Sequence, residues 1–112
     1  MKDLKISKEL IKAVLEKETE TLSKDFNFTI NEDYIEFSDD GEMQFEYCIY
    51  KFAFKCKEWL KNKVSNLCSG FDNGHRSFCH IENLNTEDRF YEDSEVEAII
   101  KACEWILSEV NK

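Results

Sequence analysis

The segment that most constrains the fold is the C-terminal one, from Ser94 to Val110, which carries a single apolar stripe. Its apolar residues recur at the period of one helix face: Ile99, Ala102, Cys103, Ile106, Leu107 and Val110. Ser94 followed three residues later by Glu97 has the spacing of a capping box, which marks the start of a helix. This segment is therefore predicted to be a helix that packs on a surface supplied by the rest of the chain.

The earlier part of the chain switches between helical and strand periodicity. Residues 1–24 predict a first helix with Ser7 as its N-cap. Residues 26–30 and 34–37 alternate apolar and polar side chains, which predicts a hairpin with one buried face. From Ile49 the helical spacing returns and ends near Asn62, whereas residues 43–47 fit either a strand or the first turn of that helix.

A second hairpin is predicted over residues 64–83, around Asn73-Gly74, because this dipeptide is the strongest short hairpin signal. A two-residue loop there would create the cross-strand pairs Asp72–His75, Leu67–His80 and Cys68–Cys79. Residues 90–91 fit a short strand before the final helix. The predicted order is α-β-β-α-β-β-α, an α+β fold with its helices packed on one antiparallel sheet, in a single domain over residues 1–112 without an internal repeat.

The net charge of −9 restricts the partners of this chain. Direct binding of nucleic acid or of an anionic membrane is disfavoured, because both need lysine and arginine to meet phosphates. No apolar run approaches the roughly 20 residues of a membrane helix. The first residues lack the apolar region of a secretory signal, which predicts a cytoplasmic protein. The five cysteines are accordingly predicted to be free thiols.

The carboxylates are concentrated in two runs. Between Asp25 and Tyr50 there are eight Asp and Glu residues and no Lys or Arg, and a second run, from Glu82 to Glu97, is interrupted only by Arg89. These residues either keep a small domain soluble and cap its helix, or form a negative surface that imitates a phosphate backbone. The second interpretation predicts these partner-binding residues: Glu32, Asp33, Glu36, Asp39, Asp40, Glu42, Glu46, Glu87, Asp88, Glu92 and Asp93.

One cluster has the chemistry of a metal site: Cys68, His75, Cys79 and His80. Cys and His together ligate zinc, but paired ligands usually lie two to four residues apart, and adjacent Cys79 and His80 on a strand would point to opposite faces. A nucleophilic cysteine beside His75 would lack an oxyanion hole and a depressed thiol pKa. We therefore predict a non-enzymatic protein without a cofactor, with a small zinc-stabilised module as the alternative.

Two helical stretches, Lys55–Trp59 and Glu97–Leu107, are similar to parts of small uncharacterised proteins from prophages and mobile elements, a group that resembles the phage α-β-α sandwich domains. The resemblance implies a phage-encoded accessory protein, and small acidic proteins of that origin include anti-CRISPR proteins. It therefore implies a DNA mimic in the cytoplasm of a bacterial host that inhibits a nucleic-acid-handling defence complex, with CRISPR effectors as the leading class. Its partner would be a basic surface of a host protein or ribonucleoprotein complex. A homo-oligomeric phage structural or assembly protein remains a further alternative.

Overall fold

The computed structural model describes residues 4–71, 77–83, 86–92 and 94–110. In chain order the elements are α1 (Lys8–Val14), α2 (Glu16–Thr19), β1 (Asn27–Asn31), β2 (Tyr34–Asp39), β3 (Glu42–Cys48), α3 (Ile49–Lys61), β4 (Asn66–Phe71), β5 (Ser77–Asn83), β6 (Thr86–Glu92) and α4 (Glu95–Val110). The strands form two antiparallel sheets, which we call sheet A (β1-β2-β3) and sheet B (β4-β5-β6). The α+β class is confirmed. The predicted single sheet and the predicted element order are wrong.

The difference arises because each sheet has a third strand at its edge. Residues 43–47, which fitted either a strand or a helical turn, belong to β3, and residues 90–91 belong to the longer strand β6. An edge strand pairs on one side only, so it tolerates polar residues at most positions. Most of β3 is exposed, and alternation in the sequence is correspondingly weak.

The architecture repeats itself, which the sequence did not indicate. Three antiparallel strands followed by a helix occur twice, as β1–β3 with α3 and as β4–β6 with α4. Aligning Glu58-Trp59 of α3 with Glu104-Trp105 of α4 also aligns Lys55 with Lys101. Because only a few helical positions match, the repeat is a property of the fold rather than of the sequence as a whole.

One hydrophobic core joins both repeats. It contains buried residues from α1, from α3, from α4 and from the central strands β2 and β5. Helix α4 packs on sheet B and on α3, while α1 contacts both α3 and α4. On sheet A the core side carries Phe37, which is fully buried and stacks on Phe45 with ring centroids 4.7 Å apart.

The predicted helix starts are confirmed. The backbone N–H of Leu10 donates to the Ser7 hydroxyl oxygen at the start of α1, and that of Glu97 donates to the Ser94 hydroxyl oxygen at the start of α4. The first helical region is shorter than predicted, because α1 ends at Val14 and α2 ends at Thr19. Helix α3 ends with Asn62 as its C-cap, as predicted.

The register of the second hairpin differs from the predicted one by one residue. Cys68 lies opposite His80, and Ser69 lies opposite Cys79. Strand β4 ends at Phe71 and β5 begins at Ser77, while the Asn73-Gly74 pair lies outside the described residues. A shift of one residue sends a paired side chain to the other face of the sheet, so this register decides which thiol enters the core.

Candidate partner-binding surface

The outer face of sheet A is the face turned away from the core, and its centre is acidic. Along β2, Ile35 and Phe37 are fully buried, so Glu36 between them points outward. Glu36 is the direct cross-strand partner of Glu46 on β3, and on its other side it pairs with Thr29 of β1. Two carboxylates therefore lie side by side in the middle of this face.

Further carboxylates lie in the two turns at opposite ends of β2. The turn between β1 and β2 contains Glu32 and Asp33, and the turn between β2 and β3 contains Asp40 and Gly41. Glu32, Asp40 and Gly41 all have positive φ (50°, 54° and 81°). The consecutive positive φ values at Asp40-Gly41 match a type I′ turn, for which Asp-Gly is a preferred sequence. A strand of this length spans about 20 Å, so the acidic residues of sheet A extend over that distance.

Two of the predicted contact residues on sheet A serve the fold instead. Asp39 accepts hydrogen bonds from the Ser23 hydroxyl and from the Ser23 backbone N–H, the latter at 2.8 Å, and these bonds lower the pKa of the Asp39 carboxyl. The Asp33 carboxylate accepts from the Tyr50 hydroxyl at 3.2 Å, which raises the pKa of Tyr50. The Asp33 carbonyl also accepts from the backbone N–H of Ile49. Asp39 thus holds the end of β2 to the segment at Ser23, and Asp33 holds the turn between β1 and β2 to the start of α3.

The other five predicted residues of sheet A are not neutralised within the described part of the chain. These residues are Glu32, Glu36, Asp40, Glu42 and Glu46, and none of them forms an ion pair with a described Lys or Arg. Three of the four lysines of α3 are paired elsewhere: Lys55 with Glu18, Lys57 with Glu95, and Lys61 with Glu58. We call Glu36 and Glu46, with Glu32 and Asp40 in the flanking turns, the acidic face of sheet A. Glu42 lies opposite Asp39, on the same side of the sheet as Ile35 and Phe37, and is not part of this face.

The second acidic run does not join this face in the described structure. Glu92 of β6 forms a 2.8 Å ion pair with Lys101, and Asp88 lies opposite Ile81, on the side of sheet B that faces α4. Only the backbone of Glu87 is described, and Asp93 lies outside the described residues. In the described part of the chain, the predicted residues of the first run thus lie on sheet A and its turns, and those of the second run lie on sheet B.

The three described residues of the zinc alternative, Cys68, Cys79 and His80, do not form a metal-binding group. Cys79 is fully buried in the core, where loss of solvent raises the pKa of its thiol to about 12. His80 follows it on the opposite face of β5, across from the exposed Cys68. His75 lies outside the described residues. Among the residues that are described, no three His, Cys, Asp or Glu side chains are arranged to hold a metal ion.

Sequence reasoning missed a second surface, an aromatic depression on α3. Its volume is about 420 Å³, and it is lined by Tyr47, Tyr50, Lys51, Phe54 and Lys55. We call it the α3 groove. Tyr50 and Phe54 lie four residues apart and off the buried stripe of the helix, the spacing that puts two side chains on one face. This offset pair is the signal that would have identified the groove.

In the described part of the chain, no helix has both the length and the apolar character needed to cross a membrane. Comparison with protein-family models, with curated proteins and with solved structures finds no match to this chain.

Proposed function

We propose that this is a non-enzymatic binding protein that places the acidic face of sheet A on a basic surface of a nucleic-acid-handling complex and excludes DNA or RNA from it. The observation that carries the proposal is the cross-strand pair Glu36–Glu46 on the outer face of sheet A. Like charges directly opposite each other destabilise a sheet, and a cation on a partner would offset that cost. The acidic face therefore has a physical reason to bind a cationic surface.

Electrostatics would govern both the rate and the salt dependence of this association. The net charge of −9 produces a long-range field that attracts a basic surface before contact. Complementary charges mainly raise the association rate and the selectivity for partners. Because Glu46 and the turn carboxylates are exposed and Glu36 is partly exposed, added salt should screen them and weaken binding steeply.

The partner class is chosen from the resemblance of parts of α3 and α4 to prophage and mobile-element proteins. On that basis a CRISPR effector complex of a bacterial host is the first partner to test, with this protein as its inhibitor. The carboxylates of sheet A by themselves require only that the partner has a basic groove that otherwise binds a phosphate backbone. A partner of another class with such a groove would satisfy the same chemistry.

The test is competition with labelled DNA or RNA for purified CRISPR effector complexes, using the double charge reversal Glu36→Lys and Glu46→Lys. We expect the inhibitory concentration to rise at least about tenfold, which is about 1.4 kcal/mol of binding free energy. The wild-type protein should also lose potency as salt is raised. Thermal unfolding should show that the variant stays folded.

The matched control is the double reversal Glu16→Lys and Glu20→Lys, which makes the same change in net charge on and beside α2, where both residues are exposed. It should retain most of the inhibition. Equal loss in both double variants would mean that net charge alone matters. Unchanged inhibition in the Glu36/Glu46 variant would show that the acidic face of sheet A is not the contact surface.

A further inference from the structure

The α3 groove exposes large aromatic side chains on the surface of a charged protein. Phe54 is 65% exposed and Tyr50 is 53% exposed, although both belong to a helix whose opposite side is buried in the core. Tyr47 of β3 forms the neighbouring wall. The volume of about 420 Å³ lies within the roughly 300–1,000 Å³ typical of binding pockets.

The charged side chains that line this groove are Lys51 and Lys55. In the described structure two carboxylates are bonded to lining residues: Glu18 to Lys55, and Asp33 to the hydroxyl of Tyr50. Lys55 forms an ion pair with Glu18, whereas Lys51 forms no ion pair with the described residues. The exposed aromatic side chains together with Lys51 therefore favour a partner segment that is apolar and carries a carboxylate beside Lys51.

The internal repeat shows that the same helix side is covered in the second unit. When Glu58-Trp59 is aligned with Glu104-Trp105, Phe54 of α3 corresponds to Ile100 of α4, which is 1% exposed. Ile100 lies one turn before Cys103, whose sulfur is 3.6 Å from the carbonyl oxygen of Cys56. That side of α4 therefore lies beside another helix, α3. On α3, Lys57 at the position of Cys103 pairs with Glu95, but Phe54 at the position of Ile100 is left exposed.

We propose that the α3 groove docks an amphipathic helix of a partner protein, with apolar residues against Tyr50 and Phe54 and with Asp or Glu residues beside Lys51. Helix-in-groove recognition uses apolar anchors at positions i, i+3, i+4 and i+7 on the incoming helix. The carboxylates of that helix would meet the lysines at the rim. This site is separate from the acidic face of sheet A and does not depend on the function proposed above.

The probe is a fluorescein-labelled peptide of about 18 residues, with Leu at the i, i+3, i+4 and i+7 positions and Glu and Ala elsewhere. A second peptide carries Lys in place of every Glu. Fluorescence anisotropy should show binding of the acidic peptide, and binding of the basic peptide should be at least about tenfold weaker. Phe54→Ser and Lys51→Glu should each weaken binding of the acidic peptide at least about tenfold, because aromatic anchors dominate such contacts.

Phe71→Ser is the matched control, since Phe71 is 64% exposed and lies on β4 rather than on the groove. It should leave peptide binding unchanged, and so should the Glu36→Lys and Glu46→Lys reversal, so that this proposal and the proposed function can fail separately. Equal binding of both peptides, or equal loss in Phe71→Ser and Phe54→Ser, would overturn the proposal. A dimer in sedimentation that Phe54→Ser dissociates would assign the groove to a second copy of the chain and would also overturn it.

Discussion

Glu36 and Glu46 face each other across β2 and β3, and within the described structure no lysine or arginine neutralises either carboxylate. This pairing is unfavourable for the isolated protein, because like charges lie directly opposite each other on one face of the sheet. Proteins often retain groups that lower stability where those groups serve binding. The cost to the fold and the benefit to binding can therefore be measured at the same pair.

Replacing Glu46 by Lys should stabilise the protein by about 0.5–1 kcal/mol, because a repulsive cross-strand pair becomes an attractive one. Urea unfolding at low salt measures the change, and the gain should shrink at high salt as the charges are screened. Glu20→Lys, at an exposed position just after α2, should change stability much less. A loss of stability in Glu46→Lys would contradict the view that the pair is strained.

Ser94→Ala should lower the free energy of unfolding by about 1 kcal/mol, because the hydroxyl oxygen accepts the backbone N–H of Glu97 at the start of α4. Ser108→Ala is the control, since Ser108 is exposed near the other end of the same helix. Chemical unfolding of both variants measures the difference. Equal stabilities would show that the cap contributes nothing to α4.

Asp39 should stabilise the protein only when it is ionised, because its carboxylate accepts two hydrogen bonds from Ser23 and its pKa is lowered by them. A lowered pKa in the folded state means that this stabilisation is complete above the unfolded value, near pH 4. It is then lost as the pH falls through the lower folded value. Asp39→Asn should therefore be less stable than wild type at pH 7, and the difference should narrow at about pH 3.

Urea unfolding at several pH values tests this expectation, with Asp25→Asn as the control because Asp25 is exposed on the segment between Ser23 and β1. The control should show a smaller difference from wild type at pH 7. A stability difference for Asp39→Asn that stays constant from pH 7 to pH 3 would mean that the ionised carboxylate is not what holds the segment.

The thiols should separate into two classes of reactivity. Cys68 is exposed on β4 and Cys48 is partly exposed at the end of β3, whereas Cys56, Cys79 and Cys103 are buried. Burial raises the pKa of Cys79 to about 12 and also raises the pKa of Cys103, so both thiols stay protonated at pH 8.

Mass spectrometry after treatment with iodoacetamide at pH 8 should find Cys68 modified first, and the three buried thiols modified only after unfolding in urea. Cys68→Ser should remove the fast phase and leave the rest unchanged. Rapid modification of Cys79 in the folded protein would contradict its burial, and with it the register that pairs Cys79 with Ser69 rather than with Cys68.

Much of the local structure followed from short-range patterns in the chain. The apolar stripe and the serine cap identified α4, and alternation identified the β1–β2 hairpin. Such features are set by neighbouring residues, so the sequence carried them without reference to the rest of the fold. The acidic run on sheet A was likewise visible, because a stretch that lacks lysine and arginine has no local counterion.

Contacts between distant segments determined the rest. Asp39 and Asp33 looked like free carboxylates until the fold brought Ser23 and Tyr50 to them. The sequences of the edge strands β3 and β6 alternate only weakly between apolar and polar residues. One edge of each strand is unpaired, so fewer of its positions must be apolar. The sequence of this protein alone thus located the three helical regions and the segments where charge accumulates, but not the division of the first region into α1 and α2. Long-range packing determined which charges remain unpaired and which aromatic side chains remain uncovered, because pairing and burial depend on residues far apart in the chain.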